Sequence, residues 1–261
     1  MSDISQSIPY FTDLHSHILP GIDDGAKNAD ISVKLLDMEI SQGVRQLVLT
    51  PHFNCEQITV EEFTKIRRQS ALVLLESAKK AGIKMRIKLG AEVYFSPMMP
   101  KLDLKSLCIQ GTSYLLVELP VTYNPSWTQD IFFECQLQGV TPLVAHVERY
   151  PYIIEKPEVL FELVSLGAVA QGNAASIIKD DKRAKLMMKF FEWDILHVIS
   201  SDTHSVKHRP PYVKQAYEYV SAKLGEEKAF EISANAAKIF AGKPLELNEP
   251  TQPKKRFGKY V

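Results

Sequence analysis

The stretch FTDLHSHILPGIDDG, residues 11–25, sets two histidines and three acids around one short apolar run. A core has no use for Asp13, His15, His17, Asp23 and Asp24 at the end of a buried strand, and a helix would scatter them. On an extended backbone, residues two apart point the same way, so His15 and His17 share a side. Asp24 lies in PGIDDG, a turn-rich loop able to fold back over the strand end. Positive charge held between these groups accounts for their crowding.

Outward from this stretch, short β-rich apolar runs recur at 11–15, 45–50, 84–91, 113–119, 141–146, 167–171 and 196–201. QLVLT, YLLVEL and PLVAH are nearly continuously apolar, as strands buried on both faces of a parallel sheet should be. Helical patterns lie between them. Ala29, Val33, Leu36 and Ile40 recur at helical spacing, with Gly43 closing the segment. Thr59 and Glu62 form a capping box that opens a helix running to about Gly82. Leu163, Val164 and Leu166 end another, before Gly167. Seven β-then-α units in a row predict a parallel barrel or a doubly wound sheet. No G-x-G-x-x-G follows the first strand and no G-x-x-x-x-G-K-[ST] occurs, which removes support from the common nucleotide-binding sheets. The expectation is one α/β domain over 1–243, followed by a basic tail, 244–261. That tail, with PKKRFGK, reads as a solvated loose end more readily than as a binding patch.

The polar residues that look misplaced fall at the carboxyl ends of the runs. His15 and His17 end the first, His52 the second, Glu92 the third, Glu118 the fourth and His146 the fifth. Asn173 follows the sixth, and Asp202 with His204 ends the seventh. From Glu92 onward the intervals are 26, 28, 27 and 29 residues, about one βα unit each, so every step returns to the same barrel rim. Five histidines (His15, His17, His52, His146, His204) and four acids (Asp24, Glu92, Glu118, Asp202) meet there. Two carboxylates 4 Å apart repel by about 4 kcal/mol at an effective dielectric near 20. Bound cations relieve this, and nine ligands exceed what one tetrahedral ion uses. Mixed imidazole and carboxylate donors without thiolate suit manganese, iron or zinc, so two or three divalent ions are expected. Plainer readings exist for single members. A lone His-x-His is often only a polar strand end, and Asp13 and Asp23 are as readily cap or turn acids. His197 is off the face of Asp202 and reads as structural, and His208 as a surface residue.

Composition narrows the function. Lys+Arg and Asp+Glu balance at 31 each, so no global field recruits nucleic acid or an anionic membrane. The opening MSDISQSIPYF lacks the features of a secretory signal, and no apolar stretch approaches the roughly 20 residues of a membrane span. Cys55, Cys108 and Cys135 are scattered without a C-x-x-C, which fits a reducing cytoplasm.

With these residues in hand, the chain resembles the polymerase-and-histidinol-phosphatase (PHP) family. Within it, the chain is most similar to the bacterial protein-tyrosine phosphatases of capsule and exopolysaccharide operons, the CpsB/CapC type. The matching stretches are DLHSHILPGIDDG, LVLTPHF, LGAEVYFSP, YLLVELP, GVTPLVAHVERYP and HVISSDTH followed by HRPP. The resemblance implies a distorted seven-stranded TIM-like (β/α) barrel with a trinuclear, usually manganese-type site. It places His15, His17, Asp24, His52, Glu92, Glu118, His146, Asp202 and His204 at ligand positions. Arg149 and Arg209 take the catalytic positions that hold the phosphate. One departure is Phe53, where relatives often carry a second histidine. The implied substrate is a phosphotyrosine protein, the tyrosine-rich cytoplasmic tail of a polysaccharide-assembly tyrosine kinase.

A cysteine phosphatase needs Arg six residues after its Cys; those positions here are Glu61, Tyr114 and Thr141. The expected chemistry is therefore attack by metal-activated hydroxide, with the arginine forks neutralising phosphoryl oxygens. Glu148 is either an orienting acid beside Arg149 or a surface acid. A histidinol-phosphate or other small phosphoester hydrolase with the same metal site remains the alternative, followed by a non-catalytic module reading phosphorylated tails.

Overall fold

A computed structural model of the chain describes residues 8–256 and 259–260; the lead 1–7 and Phe257, Gly258 and Val261 of the tail lie outside the described residues. The chain runs β1 (Phe11–Asp13), α1 (Ala29–Ser41), β2 (Val44–Leu49), β3 (His52–Phe53), α2 (Val60–Lys80), β4 (Arg86–Leu89) and β5 (Glu92–Tyr94). It continues through β6 (Tyr114–Glu118), α3 (Thr128–Leu137), β7 (Thr141–Val144), α4 (Pro151–Glu155), α5 (Glu158–Ser165) and β8 (Val169–Asn173). Then come α6 (Ala174–Ile177), α7 (Lys182–Glu192), β9 (Val198–Ser200), α8 (Val213–Leu224) and α9 (Glu226–Phe240). A short hairpin of β10 (Lys255–Arg256) and β11 (Lys259–Tyr260) follows.

One parallel sheet has the order β1-β2-β4 and another β3-β5-β6-β7-β8-β9, and together they form a single barrel wall. β2 and β3 are halves of one strand, interrupted at Thr50 and Pro51, where proline has no N–H to give. β4 and β5 are likewise halves, interrupted at Gly90 and Ala91. Backbone bonds carry the pairing across both breaks: Gly90 N–H to Leu49 O at 2.9 Å and Glu92 N–H to Pro51 O at 3.1 Å. The wall closes between β9 and β1 at a parallel bridge, Ser16 to Thr203. There, His17 N–H donates to Thr203 O and Asp202 N–H to His15 O, each at 2.9 Å. Counting each broken strand once, seven strands make the distorted (β/α) barrel that the sequence resemblance implies.

Strand alternation sorts the side chains into two layers. Leu14, Val48, Tyr114, Leu116, Leu143 and Val198 fill the interior, and Ala236, Ile239 and Phe240 of α9 pack against them as a plug. Leu115, Val117, Val144 and Ile199 face the helices instead, while Leu47 and Leu49 meet Leu35, Leu36 and Leu74 of α1 and α2. The Thr59–Glu62 capping box is present and opens α2.

Of the boundaries that differ from the sequence reading, three bear most on the site and its surroundings. The β1 ladder ends at Asp13, so His15 and His17 lie on the chain beyond it. The sixth strand begins at Val169 because Gly167, with φ +90°, still belongs to the turn after α5; Asn173 therefore ends the strand rather than following it. The segment after α9 is not a loose end. Leu245 and Leu247 pack against the interior cluster, and Thr251 N–H donates to Trp193 O at 2.8 Å. Tyr260 hydroxyl donates to Glu158 at 2.8 Å. Leu245, Leu247 and Tyr260 pack on the core, so the segment is held against the barrel.

Candidate metal centre

Alternation along the strands brings the predicted side chains to one rim. Tyr114 and Leu116 point into the barrel, and Glu118 is next in that parity; Val198, Ser200 and Asp202 repeat the arrangement on β9. Register does the rest. His52 pairs with Glu92 and Tyr94 with Glu118 across neighbouring strands. His146 is the exception. Leu143 and Ala145 are interior and Val144 is not, so alternation alone would send His146 outward. Its backbone takes the left-handed conformation, φ 32° and ψ 57°, and the ring meets Glu92 inside. Asp202 also has positive φ, 53°. Left-handed non-glycine residues cost free energy and concentrate at functional sites.

Hydrogen bonds orient the imidazoles. His17 Nδ1 lies 2.8 Å from Asp23 Oδ2, His15 Nδ1 3.2 Å from Gln171 Oε1, and His204 Nδ1 2.9 Å from Asp202 O. Each acceptor draws the N–H to Nδ1, a tautomer assigned from these contacts, and leaves Nε2 for the cluster. Those Nε2 atoms converge. His15 Nε2 is 3.1 Å from His17 Nε2, and Glu92 Oε2 lies 3.2 Å and 3.1 Å from the two. His52 Nδ1 is 3.1 Å from the same Glu92 oxygen, and Asp24 Oδ1 lies 3.3 Å from His52 Nε2 and 3.4 Å from His204 Nε2. His146 Nε2 is 2.8 Å from Glu92 Oε1 and 3.7 Å from Glu118 Oε1.

Three sets of donor atoms are close enough to hold an ion each: His17, Asp24, His52 and His204; His15, His17 and Asp202; His52, Glu92 and Glu118. Eight of the nine predicted ligands fall in these sets, and His146 stands beside the third through Glu92 and Glu118. Among the described residues, Glu92 Oε2, Asp202 Oδ1 and His204 Nε2 meet only other predicted ligands, as atoms turned toward shared cations would. Asp202 Oδ2, by contrast, accepts from Arg149 Nη2 and Arg209 Nη2, each at 2.6 Å, and from Asn173 Nδ2 at 2.8 Å. The two predicted phosphate-holding arginines are thus side by side at the mouth, each about one third exposed.

The local field fits cation binding. Burial opposes charge on His17, yet hydrogen bonds that its ring donates to Asp23 and Glu92 carry it up to about 10. Burial, with the charges of His17 and Arg209, drives His204 down to about 3. Burial and the Glu92 charge push Glu118 up, whereas His15, His17 and Arg149 overcome burial to hold Asp202 well down. Opposed shifts crowded into one cleft are characteristic of functional sites.

Residues 11–241 match the family of capsular polysaccharide synthesis, CpsB/CapC. The chain belongs to the CpsB/CapC family. The tyrosine-protein phosphatase YwqE of Bacillus subtilis (strain 168) is 30% identical over 249 residues, covering 94% of this chain and 96% of that one. The tyrosine-protein phosphatase CpsB of Streptococcus pneumoniae is 32% identical over 235 residues, 84% of this chain and 93% of that one. A crystal structure from work on these two proteins, described as unique metal-dependent tyrosine phosphatases, superposes with a TM-score of 0.86 at 27% identity, covering 94% and 100%. The lactonase Lmo2620 of Listeria monocytogenes shares the fold alone, with a TM-score of 0.53 at 14% identity.

In this CpsB/CapC chain several supporting residues escaped the sequence reading. Asp23 is a turn acid, accepting Gly25 N–H at 3.0 Å, and it also orients His17. Gly25 lies so close to His17 that a Cβ there would be 2.0 Å from His17 O. Asp13 caps no helix. It is buried, accepts His15 N–H at 3.2 Å and Ser201 N–H at 3.0 Å, and so ties the segment of His15 and His17 to that of Asp202 and His204. Gln171 accepts His146 N–H at 2.8 Å besides touching His15, and nothing in a single glutamine marked it. Glu148 is no surface acid: it is buried, and its Oε2 accepts Asn173 N–H at 3.3 Å. Phe53 is buried against Phe63 with ring centroids 5.0 Å apart, an apolar contact. His197 is structural, accepting Ala170 N–H at 3.0 Å and donating to Asp194 O.

Proposed function

We infer that this chain is a metal-dependent protein-tyrosine phosphatase. The observation that carries the reading is the convergence of imidazole nitrogens on Glu92 Oε2 and Asp202 Oδ1, with Arg149 and Arg209 poised on the outer oxygen of Asp202. His15, His17, Asp24, His52, Glu92, Glu118, His146, Asp202 and His204 would hold two or three divalent ions. Manganese suits this donor set best, with iron or zinc as alternatives. Such ions supply an activated water and neutralise phosphoryl charge.

The chain's own residues do the rest. Arg149 and Arg209 bind the non-bridging oxygens of the phosphoryl group, two planar donors matched to its geometry. Tyrosine leaves as a phenol of pKa about 10, so protonation of the leaving group matters less than for an alkyl ester. Asp23, Gln171 and Asn173 keep the imidazoles and Asp202 in place. The substrate is a phosphotyrosine protein, the cytoplasmic tail of a capsule-assembly tyrosine kinase, and the enzyme works in the cytoplasm beside it. Among the described residues no helix is long and apolar enough to cross a membrane.

Turnover of a phosphotyrosine peptide and of histidinol phosphate, each before and after chelation, tests the reading. Faster hydrolysis of the peptide, abolished by chelation and restored by manganese, is the expected result. Faster hydrolysis of histidinol phosphate makes the chain a small-phosphoester hydrolase, and activity untouched by chelation removes the metal role.

A further inference from the structure

We propose that a basic cleft beside the metal centre binds acidic side chains flanking the target phosphotyrosine, so that the preferred substrate is an acidic polypeptide segment. This rests on the phosphatase reading and extends it from the reacting group to its neighbours. A cleft of about 570 Å³ opens where Arg149, Asp202 and Arg209 meet, and Lys179 and Arg183 form part of its lining. A second cleft, of about 1060 Å³, shares Arg183 and is lined further by Lys182 and Lys185. Pockets for whole small-molecule ligands run to roughly 300–1,000 Å³, so one phosphoryl group leaves most of this space free.

Its charge points to the occupant. The segment 179–189 carries five cations against Asp180 and Asp181 in a chain whose net charge is zero. Both acids are engaged: Asp180 accepts from the Tyr219 hydroxyl at 2.6 Å, and Asp181 caps α7 through Ala184 N–H at 2.9 Å. Lys189 is paired with Glu192 at 2.8 Å. Among the described residues, Lys179, Lys182, Arg183 and Lys185 form no salt bridge, and all four are exposed. A run of unpaired cations leading away from a phosphate site is complementary to carboxylates or a second phosphate on one polypeptide.

The test uses peptides with one central phosphotyrosine and flanks that are neutral, glutamate-rich, or bear a second phosphotyrosine. The last two separate the carboxylate and phosphate forms of the same recognition. At low salt, kcat/KM for at least one anionic flank should exceed that for the neutral flank about tenfold. The ratio should fall toward one in 1 M salt, where screening acts within about 3 Å. It should also fall in the Lys179→Gln, Arg183→Gln double variant. Binding of the unphosphorylated glutamate-rich and neutral peptides, read by fluorescence anisotropy, should show the same salt-sensitive preference without any chemistry. A ratio of one for both anionic flanks in the parent protein, or a tenfold ratio that survives the double variant, overturns the subsite. Failure to turn over every peptide and a small aryl phosphate overturns the phosphatase reading instead, and the anisotropy preference then reports on the cleft alone.

Discussion

One carboxylate, Asp23, holds His17 by its ring nitrogen at 2.8 Å and the Gly25 amide at 3.0 Å, so a single acid sets both the tautomer of a proposed ligand and the turn that presents Asp24. Carboxylate–histidine pairs of this kind tune metal affinity by about 10–100-fold. Asp23→Asn should therefore weaken manganese binding by that factor while circular dichroism stays unchanged. Titration calorimetry on the metal-stripped variant checks it, and an unaltered Kd removes Asp23 from the centre.

His146→Ala should lower turnover by at least about 100-fold, since loss of a ligand costs no less than loss of its support. The fold should persist, because the ring lies at the rim and the core beneath it, Leu143 and Ala145, is untouched. Activity near the parent level in a folded variant would show that the left-handed backbone at this position serves something else.

Arg209→Ala should act on substrate binding. A hydrogen bond to a charged group is worth about 1.5–3 kcal/mol, so KM for an aryl phosphate should rise roughly 10–100-fold with kcat changed less. Steady-state kinetics with metal in excess isolates the effect from any loosening of Asp202. Equal loss in kcat alone would place Arg209 with the ligand framework.

Metal removal should cost stability as well as activity. An ion at 100 times its Kd stabilises the folded chain by about 2.7 kcal/mol, which for a chain of this size is roughly 5–10 °C in Tm. Differential scanning fluorimetry with and without chelator reads the shift; coincident curves argue against occupied sites.

Acid should destabilise the protein through His197, away from the metal centre. Burial pushes this imidazole down to about 4, from about 6.5 when exposed. Between those values the unfolded chain carries the extra proton, so this contribution is complete above pH 6.5 and is lost as pH falls through 4. Its size is about 3 kcal/mol. Denaturant unfolding from pH 7 to 4 should show a shallower loss in His197→Gln than in the parent, and parallel losses would reject the assignment.

Sequence alone determined the order of seven β/α units, the capping of α2 at Thr59 and Glu62, and the recurrence of polar residues at strand ends. These are local properties: the side-chain period, the turn chemistry and the near-constant length of one βα unit are all written in neighbouring residues. Tertiary structure decided the rest. The left-handed turn that brings His146 inward, the burial of Glu148 and the docking of Leu245 and Leu247 depend on residues far apart in the chain. So does the support of Asp13 and Gln171, both buried, the first reaching Ser201 and the second both His15 and His146. A polar side chain carries no mark of its own burial. What it will bond is settled only when the barrel closes and removes water from around it.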